Sequence, residues 1–175
     1  MRKLIIFSFL VLTTIIFGCA PSVSVNHDFD PGYAFTTLKT FDWIPVKTSA
    51  QVSELTIKRF QNAINTELEA KGMKQSSENP DFLIALQGTA QTKVNVTDYG
   101  YSYGRYWAAG PRNVDVNTYQ EGTIYLDFID GKTKELFWRG TGTSVVEPGL
   151  SGEEQEKKFA FVAAKLMSDF PPPAK

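Results

Sequence analysis

His27 is the single histidine and Cys19 the single cysteine of a 175-residue chain. That scarcity limits the chemistry. A Ser-His-Asp system would have to use His27, which sits in a strand-to-turn segment with no identifiable partner, so it reads as a surface or turn residue. A histidine-based metal site needs more ligands than the chain offers. Asp28 and Asp30 could hold Ca²⁺ with other oxygens, but Asp-x-Asp-Pro-Gly at Asp28–Gly32 favours turn capping. Two-carboxylate glycoside chemistry needs a particular pair of acids, and nothing in the sequence singles one out. The chain therefore reads as non-enzymatic, with no catalytic residue, no metal and no cofactor beyond a covalent lipid.

That lipid belongs on Cys19. Arg2 and Lys3 precede a fourteen-residue apolar run, Leu4 to Phe17, which ends in Ile16-Phe17-Gly18-Cys19. Two cations, an apolar run and a small residue mark an export signal. The run contains Ser8, Thr13 and Thr14, and it is short of the ~20 apolar residues a spanning helix needs. The four closing residues resemble the lipobox of bacterial lipoproteins, although Ile16 stands where leucine is commoner and Phe17 is bulky. The resemblance implies a signal peptide 1–18, cleavage before Cys19, and acylation of its sulfur and new amino group, with palmitate among the chains. The competing reading is a buried thiol beyond a signal cut elsewhere, but no Ala-x-Ala site lies nearby and Pro21 disfavours cleavage just before it.

Residues 19–22 then form a tether spanning at most ~14 Å at ~3.5 Å per residue, so the folded part is expected at the membrane surface. Ala20, where an aspartate would resemble an inner-membrane retention signal, points to the outer membrane and a periplasm-facing protein. The mature chain of 157 residues carries 16 basic and 19 acidic side chains. It has no basic block, which excludes nucleic acid as an expected partner. An envelope protein or the cell wall is the candidate partner; the oligomeric state is left open. With Cys19 acylated, no disulfide can form.

The stretch 98–112 is the candidate binding segment. It holds four of the seven tyrosines, a tryptophan and two arginines among glycines and a proline, and reads as a long loop between two strands. Tyr99, Tyr101, Tyr103, Arg105, Tyr106 and Trp107 could stack on a sugar or small ligand, dip into the membrane interface, or grip a protein. The competing reading is a mobile loop with partial packing.

The remaining pattern predicts one α+β domain over 23–171, followed by a disordered tail 172–175. Alternation marks strands at Val23–Asn26, Leu38–Ile44 and Thr123–Ile129; Phe82–Leu86 is continuously apolar and passes through Gly88 into Lys93–Thr97, which alternates, and Met73–Gln75 suits a short strand. Ser53 caps a helix whose stripe is Ile57, Phe60, Ile64 and Leu68, stopped by Gly72. Ser151 and Glu154 form a capping box before a second stripe of Phe159, Val162, Ala163, Leu166, Met167 and Phe170, stopped by Pro171–Pro173. The expected fold is a two-layer sandwich: a largely antiparallel β-sheet with both α-helices packed on one face. Trp43 and Trp138 are expected in the core. The hairpin 123–140 needs a loop of three or five residues for Leu136 and Trp138 to share a face with Ile124, Leu126 and Phe128. Leu126 would then oppose Trp138, Tyr125 would oppose Arg139 on the outer face, and Asp127 would lie diagonal to Arg139.

Several stretches form a recognisable set: Asp28-Phe29-Asp30-Pro31, Phe35 with Leu38–Trp43, Pro80–Ile84, Tyr119–Ile124, Phe137-Trp138-Arg139-Gly140, and Phe170-Pro171-Pro172. Together they resemble bacterial lipoproteins carrying the domain of unknown function 4136, over about residues 23–172. The resemblance implies an envelope location and an α+β fold and transfers no catalytic residue.

Overall fold

The computed structural model describes residues 23–46, 53–98 and 114–173. Strands β1 (Val23–Phe29), β2 (Thr40–Trp43), β3 (Lys74–Gln75), β4 (Phe82–Asp98), β5 (Val114–Asp130) and β6 (Leu136–Val145) form one sheet in the order β1-β6-β5-β4-β2-β3. Helices α1 (Glu54–Ala70) and α2 (Gly152–Met167) pack together on one face. The α+β expectation holds, but the sheet is mixed. Ladders β1–β6, β6–β5 and β5–β4 are antiparallel, whereas β2 runs parallel to both β3 and β4. The reason lies in the order strand, helix, strand: α1 carries the chain back across the sheet before β3 pairs with β2, and such a crossover returns a strand in the same direction.

Both helices follow their caps. The Ser53 hydroxyl accepts the Thr56 N–H at 3.2 Å, and Ser151 and Glu154 satisfy each other's backbone N–H groups. Phe60, Ile64 and Leu68 of α1 are fully buried, while Ile57 is half-buried. Gly72 takes φ +83°, and the Met73 N–H closes on the Leu68 carbonyl. On α2, Val162, Ala163, Leu166 and Met167 are buried, with Phe159 packed at their margin and Phe170 just beyond the helix. Pro172 is also buried, and residues 174–175 lie outside the described residues.

The core is largely aromatic. Phe41, Phe82, Phe128, Trp138 and Phe170 are sealed from solvent, and Phe137 nearly so. Trp43 is only half-buried; its Nε1–H donates to Asn65 Oδ1 of α1 at 2.9 Å. Consecutive burial of Phe137 and Trp138 breaks strand alternation, and a bulge makes it possible. Phe128 opposes Trp138, but Ile129 opposes Leu136, so Phe137 is the extra residue. This corrects the expected register. Asp127, not Tyr125, lies directly opposite Arg139, Leu126 opposes Gly140, and Leu136 points outward at 48 % exposure. The five residues between β5 and β6 match the expected loop length, yet the even parity above the turn comes from the bulge. Gly140 makes room for the Trp138 ring, since a β-carbon there would lie 2.5 Å from Trp138 Cη2.

The sequence pieces 82–86 and 93–97 are parts of one seventeen-residue strand, and 123–129 is the end of another. Among the described residues β2 pairs with β4 only as far as Ile84, and β6 follows β5 only back to Glu121. Beyond those points β4 and β5 continue as a two-stranded ribbon.

Replacing Gly140 by alanine is expected to cost about 1–3 kcal/mol through overpacking against Trp138. Gly142→Ala, where the new carbon meets Leu166 at an ordinary 3.5 Å, should cost much less. Urea denaturation midpoints of the two variants check this.

Candidate functional site

The side chains capable of chemistry fall into three clusters and one groove. The first cluster lies where β5 ends and β4 begins. The Tyr33 hydroxyl donates to Asp130 Oδ2 at 2.6 Å, and Asp130 Oδ1 accepts the N–H groups of Lys132 and Thr133. The Tyr33 hydrogen bond and those turn amides hold Asp130 down to about 2. Burial, then the bond to Asp130, pushes the Tyr33 phenol up. Asp81 Oδ2 accepts the Lys39 and Thr40 N–H groups and the Thr40 hydroxyl, fixing the entry to β2. Burial opposes ionisation of Asp81, but these donors outweigh it and keep its carboxyl below the usual range. Gly131 donates its N–H to the Asp81 carbonyl, and a β-carbon there would collide with the Pro80 carbonyl. Each polar group of this cluster closes a turn or seats a strand.

His27 forms the second cluster. It is half-buried on the helix face of β1, not a turn residue, with Nε2 2.7 Å from the Leu166 carbonyl and Nδ1 3.4 Å from Asp169. It ties β1 to the last turn of α2. The third is the Asp127–Arg139 pair on the face opposite the helices. Two N–H···O contacts of 2.6 Å join guanidinium and carboxylate, and the guanidinium lies 5.9 Å from the Tyr125 ring centre. Asp127 is 5 % exposed, and the hydrogen bonds to it raise the Arg139 pKa further. A buried carboxylate so paired is a structural element of an otherwise open sheet face. Among the described residues no three His, Cys, Asp or Glu side chains come together as metal ligands.

The groove lies at the opposite end of the sheet, where β1 begins, β6 ends and the ribbon departs. It encloses about 560 Å³ and is lined by Val23, Ser24, Tyr119, Glu121, Thr143, Ser144, Val145 and Lys165. Lys165 reaches the Val23 carbonyl at 3.5 Å, and Lys93 pairs with Glu121 across the ribbon at 3.3 Å. The groove has polar hydroxyls and one acid beside an apolar rim, which suits a small amphipathic contact more than catalysis.

The candidate residues Cys19, Tyr99, Tyr101, Tyr103, Arg105, Tyr106 and Trp107 all lie outside the described residues. Chain connectivity still locates their neighbours: Cys19 is four residues before Val23, and 99–113 join the far ends of β4 and β5. Tyr119, Glu121 and Lys165 were not among the candidates. The first two fall in the family stretch Tyr119–Ile124, but Asn117–Glu121 has no regular polar-apolar period that would mark their faces.

The Asp130 arrangement has a pH signature. Its carboxyl ionises near 3.8 when unconstrained and near 2 in the folded protein. Its stabilisation is therefore complete above pH 4 and is lost as pH falls toward 2, because the unfolded chain takes up the proton first. Asp130→Asn is expected to lower stability at pH 6 and to flatten its decline between pH 4 and 2, read from denaturation midpoints across that range.

Among solved structures, a PDZ domain protein from Parabacteroides distasonis aligns at TM-score 0.55 and 14% identity over 89% of this chain. The chain spans only 36% of that protein, and the likeness is one of fold alone. The PelC dodecamer from Paraburkholderia phytofirmans aligns at TM-score 0.48 and 14% identity, covering 84% of this chain and 96% of that one. A minor lipoprotein from Acinetobacter baumannii gives 0.41 and 8%, covering 75% and 91%. No curated protein matches the sequence. The family model described as domain of unknown function DUF4136 matches residues 25–172, nearly the whole described fold, and the chain belongs to that family.

Proposed function

We propose that the chain is a non-enzymatic lipoprotein of the cell envelope, held at the outer membrane by acyl chains on Cys19, and acting as an interaction or structural module toward the periplasm. The observation that carries this reading is Ile16-Phe17-Gly18-Cys19 behind Arg2, Lys3 and the fourteen-residue apolar run. No described helix is long and apolar enough to cross a membrane, so a lipid anchor would supply the attachment. Each buried CH₂ contributes ~0.8 kcal/mol, and more than one chain is needed for stable anchoring. The engagement of Asp81, Asp130, Asp127 and His27 in turns, pairs and a helix end supports the non-enzymatic part, since these groups are committed to the fold.

A second reading is binding of a glycan or small ligand by Tyr99, Tyr101, Tyr103, Arg105, Tyr106 and Trp107. It is favoured by the ribbon, whose strands carry this segment beyond the helix-covered sheet.

Cys19→Ser is expected to abolish incorporation of radiolabelled palmitate and to move the protein from the membrane to the soluble fraction. Labelling that persists in the variant would sink the anchor. Alanine at the five aromatics, Tyr99, Tyr101, Tyr103, Tyr106 and Trp107, is expected to leave capture of envelope partners unchanged under the leading reading. Loss of binding on a glycan array would favour the second.

A further inference from the structure

We propose that the free edge of β4, from Gly88 to Val94, pairs with the same edge of a second copy, antiparallel about a two-fold axis at Gln91. The inference rests on the acylation of Cys19 only for the local concentration it supplies, and goes beyond it by naming the partner.

The direction of the edge is fixed by one hydrogen bond. The Ile44 N–H donates to the Ile84 carbonyl at 2.8 Å, so the backbone groups of Ile84 face β2, away from β5. A strand turns its N–H and C=O groups to alternate sides, and the β4–β5 register runs without a shift from Phe82 to Asp98. Gly88, Ala90, Thr92 and Val94 therefore aim their backbone groups outward, while Thr89, Gln91 and Lys93 bond to β5. Among the described residues β2 follows β4 only as far as Ile84, and no backbone hydrogen bond occupies the edge beyond it.

Little protects this edge. Every residue from Gly88 to Val94 is exposed, none is proline, and the single charge, Lys93, is drawn to Glu121 of β5 at 3.3 Å. Edges of this length are commonly guarded by lysine, proline or a bulge. A two-stranded ribbon is also marginal in water without a further strand.

The edge complements itself. Outward-facing residues must oppose outward-facing ones, so even positions meet even positions. With Gln91 on the axis, the partner's Val94 opposes Gly88, the partner's Thr92 opposes Ala90 and the partner's Lys93 opposes Thr89. Val94 is 59 % exposed, and Gly88 leaves room for it: a β-carbon there would meet nothing closer than 3.9 Å. No like charges stand opposite, and the ribbon tips, with Asp98 and Asp115, run in opposite directions. About eight backbone hydrogen bonds form between Gly88 and Val94. The axis stands perpendicular to the sheet, so the two Val23 residues lie at equal height and one bilayer can take both anchors. A seven-residue edge falls short of the ~1,000 Å² of a stable soluble interface. Copies anchored in one bilayer present it to each other at raised effective concentration, which favours a second copy as the occupant.

The test is disulfide formation, in the full acylated chain on vesicles and in the Cys19→Ser chain at millimolar concentration. Gln91→Cys places two thiols across the axis at a Cα separation of ~4.5 Å, within disulfide reach. Thr89→Cys places them four residues apart, ~14 Å at ~3.4 Å per residue, beyond it. Under mild oxidant Gln91→Cys is expected to yield covalent dimer at least tenfold faster than Thr89→Cys. Adding Ala90→Pro, which removes an N–H that β5 does not use, is expected to abolish the difference with the circular dichroism spectrum retained. No dimer, equal rates from the two cysteines, or a Gln91→Cys dimer that survives Ala90→Pro overturns the pairing. A native mass of three or more copies assigns the edge to head-to-tail pairing with β5 and also overturns it. Protein that fails to float and keeps a free Cys19 thiol overturns the anchor alone, and the Cys19→Ser chain then decides the pairing.

Discussion

Phe137 and Trp138 enter the core from consecutive positions of β6, and a strand can do that only by bulging. The bulge sets the register of the hairpin and decides what reaches the aromatic cluster. Trp138 packs 4.7 Å from Phe128 and 5.2 Å from Phe170, between ring centres. Phe137 stacks on Tyr33 at 4.0 Å with nearly parallel rings and meets Phe35 edge-on at 5.7 Å. Tyr33 in turn carries its hydroxyl to Asp130. One irregularity thus joins the segment after β1, the β5–β6 turn and the chain end beyond α2. The tight fit has a cost: the Trp138 Nε1–H is buried with no acceptor among the described residues. Such a donor costs roughly 1–3 kcal/mol, which the packing of large aromatic surfaces on all sides offsets.

The same cluster explains what most of the family stretches are for. Asp30-Pro31 makes the turn that presents Tyr33, Asp81 seats β2, Arg139 pairs with Asp127, and Gly140 clears space for Trp138. Phe170 closes the cluster from below. These motifs are structural, and they gather toward the end of the sheet away from the first described residue. The other end has the groove, the part of the β4–β5 ribbon that no described strand flanks, and the exposed Val94, Val145 and Val146. A fold that commits its polar chemistry to one end leaves the other free to meet something else.

Helices, caps and stripes were legible because they are local: Ser53, Ser151, Glu154 and Gly72 each act within a few residues. The sheet was legible only in part. The apolar run Phe82–Leu86 leads through Gly88 into Lys93–Thr97, as β4 does, but alternation marks only the Thr123–Ile129 end of β5, because Asn117–Gly122 carry no regular period. The register of Arg139 was missed because a bulge leaves no mark in composition; Phe137 looks like any outward residue until its partners are known. The parallel β2 was inferable from the strand-helix-strand order, but a two-residue β3 gives almost no signal. At the site, Cys19 declares itself through its neighbours. The groove does not, because Val23, Glu121 and Lys165 are brought together by pairing across nearly the whole chain.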